Sequence, residues 1–100
     1  MLYHVILWKL KDSLSGEEKE KVKLNIKKEL EALKDKIDGI EKIHVQIDSI
    51  ETSNADLMLD SVFTDVEAYK KYQVHPAHVH AADTFVRPFV DIRLCLDFEK

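Results

Sequence analysis

The chain has 100 residues, with 15 lysines and arginines against 19 aspartates and glutamates, for a formal net charge of −4. That length suits a single domain spanning 1–100, and the mildly acidic balance has no basic stripe to neutralise phosphates, so nucleic acid is not an expected partner. One cysteine, Cys95, leaves no intrachain disulfide and suits a reducing compartment. The opening residues lack a secretory pattern and are too short to span a bilayer, so a cytoplasmic protein without membrane attachment is expected.

Leu2 to Leu10 reads as a strand apolar on both faces, with Leu2, Ile6, Trp8 and Leu10 on one and Tyr3, Val5 and Leu7 on the other. Such a strand expects cover on both sides. Ser15-Gly-Glu-Glu18 has capping-box spacing and predicts a helix start, after which Val22, Ile26, Leu30, Leu33 and Ile37 recur at steps of three and four. Gly39 is placed to stop that helix.

Ile43, Val45 and Ile47 alternate with polar residues as a second strand, and Leu57 to Phe63 forms a third with Asp60 facing away from Leu57, Leu59 and Phe63. Thr64-Asp-Val-Glu67 repeats the capping-box spacing and predicts a helix carrying Val66, Tyr69 and Tyr72. Pro76 disfavours helical geometry at His75, which ends that helix near Val74. A third helix then starts at Pro76, with His78, Ala82 and Phe85 on one stripe through to about Val86. Ile92, Leu94, Leu96 and Phe98 alternate with polar residues as the last strand.

The order βαββαβ, with an extra short helix before the last strand, predicts an α+β, ferredoxin-like fold: a four-stranded antiparallel sheet with helices on one face. The bare face of an otherwise apolar sheet needs a partner, and a second copy is the simplest one. A homodimer packed sheet to sheet is expected.

Three of the five histidines fall in Tyr72-Gln-Val-His75-Pro-Ala-His78-Val-His80, and a fourth, His4, sits in the apolar first strand. A buried imidazole needs a partner or a purpose. His78 with Tyr72 suits general acid–base work, since imidazole titrates near operating pH; equally, His78 suits bridging backbone groups at the helix break while Tyr72 packs its ring. His4 reads either as a ring that orients a carbonyl or enolate or as a hydrogen-bonded core histidine. His75 is expected to satisfy amides at the start of the third helix.

Trp8 and Phe85 are candidates for an aromatic pocket wall, although large aromatics on such faces more often belong to the core. Three histidines within six residues raise a metal site, but His78 and His80 project about 200° apart on a helix, and no metal is expected. Cys95 carries no mark of a nucleophile. Arg93 and Asp97, four apart on one strand face, read as a structural charged pair or a seam contact.

The opening His4-Val-Ile-Leu-Trp-Lys-Leu-Lys-Asp12, the Tyr69-x-x-Tyr72-x-x-His75-Pro-Ala-His78-Val79 segment and Phe85-Val-Arg-Pro88 leading into Arg93-x-x-x-Asp97 together resemble the stress-responsive A/B barrel domain, or Dabb, family. The resemblance implies a dimeric α+β barrel. It also implies a pocket between sheet and helices, because a plant polyketide cyclase of the family surrounds such a pocket with a histidine of the first strand, a tyrosine of the second helix and a histidine of the His-Pro-x-His element. Those places fall here on His4, Tyr72 and His78. The function so implied is binding of a small apolar or aromatic molecule, with a possible stress link, and no cofactor. The alternatives are a cofactor-independent cyclase-like lyase using His78 and Tyr72, or a monooxygenase of the wider dimeric α+β barrel group.

Overall fold

The computed structural model describes residues 1–100. Strand β1 runs Leu2–Leu10, helix α1 Gly16–Glu31 with a 3₁₀ turn at Ala32–Asp35, and strands β2 and β3 span Ile40–Gln46 and Leu57–Phe63. Helix α2 covers Val66–Val74, α3 Pro76–Ala81, a π turn Ala82–Val86, a 3₁₀ turn Arg87–Phe89, and strand β4 Val90–Glu99. The four strands form one antiparallel sheet in the order β2-β3-β1-β4, the ferredoxin-like arrangement expected from the element order. No helix is long and apolar enough to cross a membrane.

Local chemistry sets the boundaries. Ser15 and Glu18 exchange the two expected capping bonds at 3.1 and 3.0 Å, and α1 starts where they do. At α2 the cap falls one residue later than predicted: Asp65 accepts the Ala68 amide at 2.8 Å, and the Thr64 amide, which a capping box would give to Glu67, is held by the Gly39 carbonyl at 3.0 Å. Gly39 has φ +92°, the left-handed region that glycine enters without strain, and it turns the chain from α1 into β2. His75 leaves the helical region at ψ 132°, and its Nδ1 accepts the Ala77 amide at 3.0 Å, so the pre-proline residue caps α3 as anticipated.

The third helix is not continuous to Val86. It relaxes into the π turn after Ala81 and then into the 3₁₀ turn that carries Pro88. A π turn takes more residues per revolution than an α turn. The stripe expected to hold His78, Ala82 and Phe85 therefore passes through Ala82 and Val86, both buried, while Phe85 is rotated off it.

Helices cover one face of the sheet only. Against that face Leu10, Ile26, Leu33, Val45, Leu59 and Phe63 are fully buried, each contributing roughly 1.5–3 kcal/mol of transfer free energy. The other face presents Tyr3, Val5 and Leu7 of β1 in register with Phe98, Leu96 and Leu94 of β4. Leu94 and Leu96 are each 63% exposed, and Tyr3 and Phe98 stack at 5.1 Å. The strand with two apolar faces thus has one covered and one bare.

The two edges of the sheet differ. At the β2 edge, Lys27 Nζ donates to the Val45 carbonyl at 2.9 Å and the Val45 amide donates to Glu31 Oε2 at 2.9 Å, while Lys34 donates to the Ile40 carbonyl at 3.2 Å. Helix α1 and its 3₁₀ extension thereby occupy outward-facing backbone groups of β2. Strand β4, the longest, forms the opposite edge.

Candidate functional site

Period-two alternation places His4, Ile6 and Trp8 on the covered face of β1, and the antiparallel register sets them beside Asp97, Cys95 and Arg93 of β4. Above them, α2 delivers Tyr69 and Tyr72, and the break at His75 swings α3 so that His78 lies against Tyr72 with ring centroids 4.2 Å apart. The rings continue inward, with Tyr72 4.8 Å from Phe63 and Tyr69 4.7 Å from His4. Between sheet and helices is a cavity of about 490 Å³. His4, Trp8, Tyr72 and His78 all line it, with Ile6, Leu30 and Leu59 among its apolar wall and Gln73, Arg87 and Arg93 among its polar groups.

His4 is almost wholly buried, and its Nδ1 is hydrogen-bonded to Asp97. Burial depresses the imidazole pKa more than Asp97 raises it, so the ring is neutral near pH 7. In that form Nδ1–H donates to the carboxylate and Nε2 keeps its lone pair without a protein partner. Behind the ring, the Ser61 hydroxyl donates to the His4 carbonyl at 2.8 Å. Asp97 has its carboxyl held below the usual range by the His4 and Tyr69 hydrogen bonds, which outweigh its partial burial. Tyr69 donates to its Oδ2 at 3.0 Å, and Gln73 donates in turn to the Tyr69 hydroxyl at 3.1 Å.

His78 is fixed by the same logic. Its Nδ1 lies 3.1 Å from the Gln73 carbonyl, an acceptor only, so Nδ1 carries the proton and Nε2 is again a free lone pair. Burial lowers its pKa as well. Tyr72 is 1% exposed and its hydroxyl has no hydrogen-bond partner, with burial pushing its pKa up. Two neutral imidazoles and one unpartnered phenol therefore share one cavity.

Phe85, a candidate for the wall, lies outside the lining; its ring meets His80 edge-on at 6.3 Å, the result of the π turn. Arg93 and Asp97 do not pair with each other or reach a seam on the bare face. Asp97 belongs to His4, and both residues face the helices. Tyr69, Asp97 and Gln73 are the site residues the sequence reading did not place. Cross-strand register pairs Asp97 with His4, and register is visible only once strand order is known.

The profile of the family described as stress responsive A/B barrel domain matches residues 2–100. The chain belongs to the Dabb family. Among solved structures, this Dabb chain is similar to a dimeric protein of unknown function with a ferredoxin-like fold from Bacteroides fragilis, at 33% identity and TM-score 0.93 over 99% of this chain and 95% of that one. A protein of Arabidopsis thaliana matches at 30% identity and TM-score 0.78, covering 100% of this chain and 95% of the other. A hydroxynitrile lyase from Passiflora edulis matches at 14% identity and TM-score 0.74, over 97% and 90% of the two chains, which shows a common fold alone. No curated protein matches the Dabb chain in sequence.

Proposed function

We propose that this Dabb protein binds a small, largely apolar molecule bearing a carbonyl oxygen, in the cavity bounded by His4, Trp8, Tyr72 and His78. The observation that carries the reading is Tyr72: its hydroxyl is buried and has no protein partner, and the residue lines a cavity large enough for a drug-sized ligand, which a small shift of the ring would let the hydroxyl reach. A buried donor without a partner costs about 1–3 kcal/mol, which a ligand carbonyl accepting its hydrogen bond would recover. The apolar wall selects the body of the molecule, and the phenol selects its oxygen.

A second reading, a cofactor-independent lyase or cyclase, is favoured by the neutral imidazoles. An imidazole whose Nδ1–H is fixed by an acceptor presents Nε2 as a general base, and a phenol at the carbonyl oxygen stabilises the enolate formed when a carbon-bound proton leaves. His78 stands against Tyr72 and is the base expected from the sequence; His4, oriented by Asp97, is its equal in geometry. In either case the working form is a homodimer: the dimeric relative from Bacteroides fragilis supports self-association, and the bare apolar sheet face offers the surface for it.

The test is an NMR titration of the purified protein against phenolic β-ketoacids, quinols, fatty acids and haem, followed on the imidazole and amide signals. Saturable shifts at His4, Tyr72 and His78 from the β-keto compounds, reduced in Tyr72→Phe, are the expected result. Ligand-insensitive signals from all four classes would overturn the binding reading. Product formation that survives His78→Ala but not His4→Gln would move the base from His78 to His4.

A further inference from the structure

Beside the cavity, on the covered face of the β4 edge, three donors of different chemistry converge: His4 Nδ1, Cys95 Sγ and Asp97 Oδ1, all within 4.8 Å of one another. We propose that this cluster is a binding site for a zinc-class divalent transition-metal ion, separate from the carbonyl-binding role given to Tyr72.

Cys95 Sγ lies 3.6 Å from His4 Nδ1 and 3.4 Å from Asp97 Oδ1. An ion about 2.3 Å from sulfur and about 2.0–2.1 Å from nitrogen and oxygen, at tetrahedral angles, sets sulfur about 3.5 Å from each of the other two donors. Only the His4–Asp97 hydrogen bond has to open. Asp97 has the freedom to do so, because its side chain is 35% exposed on an edge strand.

Asp97 uses its other oxygen, Oδ2, to accept the Tyr69 hydroxyl, which Gln73 holds in turn, so Oδ1 is aimed by outer hydrogen bonds as metal-binding carboxylates are. A thiolate, a carboxylate and a neutral imidazole carry two negative charges, matching a divalent ion even with the Arg93 cation acting on His4 and Cys95. One thiolate and one imidazole favour a borderline ion over magnesium or calcium. Cys95 is exposed, on the face opposite the apolar one, so entry stays open and a fourth position is left for water.

Binding sheds the Cys95 thiol proton to solvent, and the His4 proton moves from Nδ1 to Nε2 as Nδ1 takes the ion. Nε2 then turns from acceptor to donor, so metal loading would convert His4 from a base into a hydrogen-bond donor on the cavity wall.

The probe is Co²⁺ added to the reduced, chelator-stripped full-length protein. One equivalent should produce a near-ultraviolet thiolate-to-cobalt charge-transfer band with the strong visible absorption of four-coordination, and Zn²⁺ should displace it. Cys95→Ser should abolish the charge-transfer band while circular dichroism stays native. Tyr69→Phe, which leaves the ligands in place, should weaken binding about 10–100-fold. His80→Ala should change nothing. No charge-transfer band at one equivalent, a band that survives Cys95→Ser, or binding that disappears in His80→Ala would each overturn the site. None of these readouts depends on whether the cavity takes a carbonyl ligand.

Discussion

Tyr72 combines near-complete burial with an unmatched hydroxyl, and the two consequences run in opposite directions. Tyr72→Phe should leave the free protein as stable or more stable by about 1 kcal/mol, since it removes an unsatisfied donor, while weakening ligand binding. Urea denaturation checks the first part; a loss above about 1 kcal/mol would show that the hydroxyl has a partner in the fold. The histidines give a pH signature. His4 and His78 both have folded pKa values below the ordinary 6.5, so the unfolded chain binds more protons in the window between. Stability should be level above about pH 7 and fall as pH drops through and below 6.5, with the depressed Asp97 adding to the loss further into acid. Melting temperatures from pH 7.5 to 5 test this, and His78→Gln should flatten part of the slope. His4, Tyr72 and His78 were legible because a polar ring in an apolar strand and a His-Pro-x-His break are local signals. Asp97 was not, because its meaning lies in a partner 93 positions away in the chain.

Strand alternation, the capping box of α1 and the helix break at His75 follow rules only a few residues long, and so they could be read before the structure, whereas α1 ends at Glu31 and passes into a 3₁₀ turn well before the stop expected at Gly39. The π turn follows no such rule. It puts Val86 in place of Phe85 beside Ala82 on the cavity wall, and nothing in the local sequence announces the wider turn. Ala82→Leu should therefore fill the cavity and lower ligand affinity at least about tenfold, whereas Phe85→Leu should leave affinity unchanged, both read by the same titration. Gly39 governs the junction of α1, β2 and α2. A Cβ there would sit 2.7 Å from Ala68 Cβ on a backbone at positive φ, so Gly39→Ala should destabilise by about 2 kcal/mol or more. A thermal shift within 1–2 °C of wild type would mean that α2 yields at little cost.

At the scale of the molecule, the bare sheet face is the feature that one chain cannot satisfy alone. Leu7, Ile92, Leu94, Leu96 and Phe98 are all exposed on it, a continuous apolar surface of the kind that stable interfaces bury. Leu94→Glu and Leu96→Glu should each shift the protein from dimer to monomer in sedimentation velocity at micromolar concentration. A monomeric wild type, or a charged variant that still dimerises, would remove the sheet-to-sheet arrangement. The apolar alternation of β1 and β4 made this face readable, although strand order was needed to show that both strands present it side by side. The Lys27 and Glu31 contacts to Val45 limit what such a sheet can become. Endless growth by strand addition requires a template at both margins of every unit, and here one margin is stopped by side chains of its own helix. Copies of this chain can close on one another, but a strand arriving at β2 finds no vacant rung at Val45, and that asymmetry is a built-in brake on fibre formation.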